Sequence, residues 1–192
     1  MDLPTRVTES PYSKATLIFG LYAALAALAL AIGLLRGDGN LYFAAGPQPT
    51  WKFATSPLIG VAFGLVIVTL SRFCVHRFRW ARRLHRDFRG LLGSLHARDI
   101  LVLAAASAIG EELLFRGALL PWVGIVPSTL IFALLHIGPG MRFLAWTFSA
   151  LIAGYLFGVL FLWAGDLGAP IAAHFTINFL NLRYIVKVDL PA

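Results

Sequence analysis

The sequence predicts an all-α, polytopic integral membrane protein of about six transmembrane helices. Three observations lead there. Of 192 residues, 59% are hydrophobic and only 13% charged, more apolar surface than a soluble domain of this length can hide. The apolar residues come in long blocks, and a bilayer core of about 30 Å is crossed by roughly 20 helical residues. Finally, a six-span partition puts thirteen Lys and Arg residues on one side, only Arg36 and Lys52 on the other, and Arg116 inside. Positive charge collects on the cytoplasmic side, so both termini are expected there.

The first block, ATLIFGLYAALAALALAIGLL (15–35), exceeds a signal-peptide core of about 7–15 residues and lacks a convincing small-residue cleavage site, so it reads as a retained span. Further spans are expected at about 56–75, 99–120, 123–138, 142–165 and 169–186. Pro47, Pro49, Pro57, Pro121, Pro139-Gly140 and Gly168 to Pro170 punctuate them. The fourth is short and contains Pro127, so a tilted, broken or re-entrant segment is expected. No internal repeat or low-complexity tail is visible. Cys74, the single cysteine, excludes an intramolecular disulfide and reads as apolar filler.

Between the second and third spans lies VHRFRWARRLHRDFRGLLGSLHARD (75–99). Trp80, Leu84, Phe88, Leu91, Leu92 and Leu95 recur at three- and four-residue steps, while Arg79, Arg82, Arg83, Arg86 and Arg89 crowd the other side. This predicts a helix in the cytoplasmic interface, with anionic lipid headgroups as partners over 76–98 and about 1 kcal/mol per arginine. The net charge of +7 is thus assigned to topology, not to nucleic acid. The chain divides at this helix: 1–98 holds two spans and the basic helix, 99–192 the remaining four spans.

Those four spans hold a short roster of strongly polar groups: Glu111, Glu112, Arg116, His136, His174 and Asn178. A charge at the centre of a membrane helix costs roughly 2.5–3.5 kcal/mol on insertion scales, so such residues face a cavity or one another and mark a functional site by default. Glu112 and Arg116 are four apart and can pair; Glu111 projects about 100° away from Glu112. His174 and Asn178, also four apart, can share a cavity. A carboxylate and an imidazole can deprotonate a water; a second imidazole and an amide can donate to the oxyanion of an attacked carbonyl. Peptide hydrolysis requires such a set.

EELLFR (111–116), FALLH (132–136) and HFTIN (174–178) resemble, in order, the EExxxR, FxxxH and HxxxN motifs of the CPBP family, the CAAX proteases and bacteriocin-processing enzymes. Those proteins are intramembrane glutamic endopeptidases. The resemblance covers about 99–182 and implies a four-helix catalytic core. It also implies that Glu111 and His136 activate water, that His174 and Asn178 form the oxyanion site, and that Glu112 and Arg116 brace them. No metal or organic cofactor is implied. The substrate is expected to be a membrane-associated protein or peptide: a prenylated CAAX tail, a leader peptide or a C-terminal sorting signal. The length is more in keeping with an enzyme of a bacterial or archaeal cytoplasmic membrane than with a eukaryotic one.

Other readings use the same residues. One carboxylate and two histidines can ligate catalytic zinc, although HExxH is absent. A scaffold, an immunity protein or a small transporter could hold the cluster for packing or ion binding. Ser94 lacks a rhomboid-like context, and Asp166 lacks a partner for an aspartyl dyad. Straight helices also leave the groups at different depths. Glu111 would lie about 18 Å from a start at residue 99, His136 near the cytoplasmic end and His174 nearer the other. Convergence therefore needs tilt or irregular segments, with Pro127 and Pro170 as the expected places.

Overall fold

A computed structural model describes residues 14–44 and 49–190; Arg6 and Pro47 lie outside them. Helices make up nearly all of the described chain: α1 (Lys14–Leu35), α2 (Thr50–Arg77), α3 (Arg79–Leu92), α4 (Ala97–Glu112), α5 (Leu120–Val123), α6 (Ile125–Leu135), α7 (Leu144–Ala164) and α8 (Gly168–Lys187). A π-helical segment, Leu113–Leu119, joins α4 to α5, and a 3-10 turn, Met141–Phe143, leads into α7.

By length and composition three helices can cross a membrane: Thr16–Leu35, Thr50–Arg77 and Met141–Ala164. This is an all-α membrane protein. The other three expected spans differ in ways their residues explain. The run from Ala97 through Val123 is unbroken helix but carries Arg98, Asp99, Glu111, Glu112 and Arg116. α8 ends in Arg183 and Lys187. α6 has only 11 residues, a rise of about 16 Å, too short to cross alone.

Glycines set how α8 docks. Gly60 and Gly64 face Ala169, Ala173 and Thr176, and a Cβ on Gly60 would lie 2.1 Å from the Ala169 carbonyl oxygen. This G-x-x-x-G against A-x-x-x-A lets two backbones touch, the packing that substitutes for a hydrophobic drive inside lipid. At the entry to α8, Gly165 adopts φ 82° and ends α7. Asp166, fully buried, accepts from Gly168 N–H at 2.7 Å and from the Ser56 hydroxyl. Leu167 N–H donates to the Tyr42 carbonyl and Ala44 N–H to the Gly165 carbonyl, tying the loop after α1 to this corner. α8 is thus fixed at the end from which His174 projects.

The basic helix forms, but its faces are not those expected. Ala81 and His85 are the buried residues of α3. Phe88 meets Phe143 and Trp146 edge-on, whereas Trp80 and Leu91 are exposed. The apolar stripe is therefore split: Phe88 turns to protein, while Trp80 and Leu91 stay exposed. Arg89 is not on the outer basic face either. Its Nη1 donates to the carbonyls of Ile185 and Val186 at 3.1 and 2.5 Å, while Arg72 donates to the Leu180 carbonyl and to Asn181. Arg89 satisfies carbonyls in the last turn of α8, where positive charge complements the helix dipole.

The irregular element at the site is the π segment, and it is Pro57 and Pro121 that lie within helical runs. Pro127 and Pro170 both sit in the first turn of their helices, where a missing N–H breaks no bond.

Candidate active site

α4 starts with a reciprocal capping box, His96 N–H donating to Asp99 Oδ2 at 3.1 Å. Its small residues Ala104, Ser107, Ala108 and Gly110 then give a buried face that delivers Glu111 and Glu112 into the bundle. The helix widens at Leu113–Leu119, and π-bulges of this kind gather at functional sites. Arg116 lies within that turn, 1% exposed. Its Nη1 donates to Glu112 Oε1 at 2.9 Å and its Nη2 to the Gly154 carbonyl at 2.8 Å. The guanidinium carbon lies 4.7 Å from the Phe132 ring centre and 5.3 Å from that of Phe157, so charge and aromatic faces both hold it.

Glu112 does more than pair with Arg116. The same Oε1 is 2.7 Å from His174 Nδ1, and Phe157 stacks on the other side of that imidazole. Glu111 stands at the opposite edge, its Oε2 3.8 Å from His174 Nε2 and 3.7 Å from His136 Nε2. Two adjacent carboxylates thus bracket one imidazole, one at each nitrogen. Glu111 Oε2 has no hydrogen-bond partner.

His136 follows the last residue of α6 and is less buried than Glu111 or His174. Its Nδ1 lies 2.7 Å from the Phe132 carbonyl. A carbonyl only accepts, so Nδ1 carries the proton and Nε2 of the neutral ring is an acceptor. Phe132, four residues back, stacks on the ring as well, and the His136 carbonyl accepts from the Thr147 hydroxyl. Short α6 and the turn after it bring His136 to the depth of Glu111, which straight spans could not.

Asn178 is the outlier. It lies one turn beyond His174, but its amide donates to Ser107 Oγ at 3.0 Å. Five of the six residues singled out from sequence therefore meet, while Asn178 is held a turn away by a residue that was missed. Ser107 had a signal: it precedes Glu111 by four and shares its face. Gly154 had none, since its role is a bare carbonyl. Among the described residues no group of three or more His, Cys, Asp or Glu side chains is arranged to hold a metal ion. Both Nδ1 atoms are engaged by Phe132 and Glu112, leaving the two Nε2 atoms facing Glu111.

Comparison with known proteins bears on the same stretch. Residues 94–180 match the family described as type II CAAX prenyl endopeptidase Rce1-like. This segment is thus similar to the Rce1-like family. All six motif residues fall inside it, whereas α1, α2 and α3 lie outside. The chain is also 37% identical over 79 residues to the uncharacterized protein YpbD of Bacillus subtilis (strain 168), a match that spans 41% of this chain and 41% of that one. No solved structure matches the chain.

Proposed function

We propose that this Rce1-like protein is an intramembrane endopeptidase that hydrolyses a peptide bond with a water activated by Glu111 and His136. The observation that carries the reading is the meeting of Glu111 Oε2 with two imidazole Nε2 atoms at 3.7 and 3.8 Å, each ring pinned at its Nδ1. These separations suit a water that bridges rather than direct bonds. Such a water gives its proton to Glu111 Oε2 or His136 Nε2 as its oxygen attacks the carbonyl carbon. The proton then passes to the departing amine as the C–N bond breaks.

His174 and Asn178 are the proposed oxyanion donors. Donation from His174 Nε2 requires a proton there while Nδ1 is engaged with Glu112. Asn178 reaches the oxyanion only after exchanging Ser107 for substrate. Glu112 and Arg116 hold His174 in place.

The substrate is a membrane-associated protein or peptide, and the family description favours a lipid-modified C-terminal tail over leader peptides or sorting signals. His136 joins α3 through two ring contacts, His136 to Trp146 and Trp146 to Phe88. This supports entry from the arginine-rich face, which we place at the cytoplasm next to anionic headgroups. The division at residue 98 is proposed as one of sequence only, since α1 packs on α4 and α2 on α8.

The test compares protein termini in host membranes carrying wild type or Glu111→Gln. New cleaved ends that appear with the wild type alone support the reading and name the substrate. Identical termini, with both proteins expressed, would favour a scaffold or transporter.

A further inference from the structure

One group at the site belongs to none of the motifs and lies outside the Rce1-like segment. Tyr22, on α1, stands beside Glu111, near enough for its phenol and the carboxylate to act on each other. The contact is built into the backbone. A Cβ on Gly110 would lie 2.8 Å from the Tyr22 carbonyl oxygen and 3.2 Å from the Tyr22 Cβ, so glycine next to Glu111 is what lets α1 come this close. Ala29, with Leu25 and Ile32, then packs into the cluster that holds Phe115, Ala118 and Phe132, keeping α1 at that distance.

A carboxylate that activates water needs one oxygen aimed at it. Glu111 is a flexible side chain, and nothing on α4 or α8 fixes its rotation, since Oε2 has no hydrogen-bond partner. A phenol reaching in from α1 can supply an O–H donor to that carboxylate. We propose that Tyr22 is a positioning residue for Glu111, making α1 part of the active site although it shares none of the family match. It touches no substrate; it acts through the carboxylate, by holding its plane and by donating a charge-assisted hydrogen bond. This inference rests on the proteolytic role proposed for Glu111.

The test is Tyr22→Phe, which removes one oxygen and keeps the ring. Host membranes carrying wild type, Tyr22→Phe, Glu111→Gln or Tyr155→Phe are sampled over time, and the wild-type-dependent termini are counted as they appear. Tyr155, exposed on α7, is the control. Tyr22→Phe should slow their appearance by about ten- to a hundredfold, the effect of losing one hydrogen bond to a charged group, with Tyr155→Phe at the wild-type rate. A structural role alone would lower yield and melting temperature instead. Infrared difference spectra of the purified proteins separate the two. The carboxylate band lost in Glu111→Gln should shift in Tyr22→Phe, and Tyr22→Phe should add no further change in that region when made in Glu111→Gln.

Wild-type cleavage rates in Tyr22→Phe, or an unmoved band, would overturn the positioning role and leave the protease standing. A wild type that produces no termini of its own would overturn the proteolytic reading, and this inference with it.

Discussion

Replacing Arg116 with methionine removes a charge from a place where no water can compensate. The guanidinium is 1% exposed and makes two bonds, to Glu112 at 2.9 Å and to the Gly154 carbonyl at 2.8 Å. Methionine fills much of the same volume between Phe132 and Phe157, so the loss is electrostatic rather than a cavity. What remains is Glu112, fully buried, with His174 as its partner. Removing one member of a buried pair costs about 3–5 kcal/mol, most of it from the orphaned charge. At about 2–4 °C per kcal/mol for a chain of this size, melting in detergent should fall by roughly 6–20 °C. The double variant Arg116→Met/Glu112→Leu should recover part of that, because the orphan is gone. The recovery stays incomplete, since His174 Nδ1 loses its acceptor. A single variant that melts within about 2 °C of wild type, or a double variant less stable than the sum of the two single losses, would refute the claim that the pair and its imidazole form one buried network.

Gly60→Ala places a methyl 2.1 Å from the Ala169 carbonyl oxygen, so α8 must move; stability should fall by about 1–3 kcal/mol and cleavage with it, read by melting and by counting termini, whereas full activity would separate α8 docking from the site. Burial pushes the His85 imidazole below its ordinary range, Arg72 and Arg89 add in the same direction, and the Val188 carbonyl and Asp189 oppose them. The unfolded chain then binds more protons below about pH 6.5, so this stability is present above that value and lost as pH falls through the folded pKa; His85→Gln should flatten the acid limb of a melting-versus-pH curve, and an unchanged limb would contradict this. Dialysis against a chelator should leave cleavage unchanged, with purified protein carrying far less than one zinc per chain; one zinc per chain, and loss of cleavage on removing it, would restore the zinc reading.

The polar roster was legible because charge in an apolar run is costly, and the i, i+4 spacing of Glu112 with Arg116 needed no three-dimensional knowledge. The convergence of Glu111, His136 and His174 was not. It depends on the brevity of α6 and on the widening at Leu113–Leu119, and a π turn has no residue signature comparable to proline. Prolines misled for that reason: Pro127 and Pro170 are conspicuous in sequence yet lie in first turns, where they disturb nothing. The second bond of Glu112, to His174, joins residues 62 positions apart and leaves no local trace. Gly60 and Gly64 carry a packing signal in their four-residue spacing, but the helix they meet is not marked in the sequence. In α3 the periodicity gave the helix but not the split of its apolar stripe, which depends on what Phe88 finds at Phe143 and Trp146.

The most direct test of Glu111 and His136 acting together on one water is a single-turnover comparison in proteoliposomes. Wild type, Glu111→Gln, His136→Gln and the double variant would be given the peptide identified from membrane termini. Groups that act as a unit lose nearly everything at the first substitution. Each single variant should therefore be slower by about a thousandfold or more, and the double variant no slower than either. Single losses that multiply in the double variant, or a Glu111→Gln enzyme within about tenfold of wild type, would contradict the account.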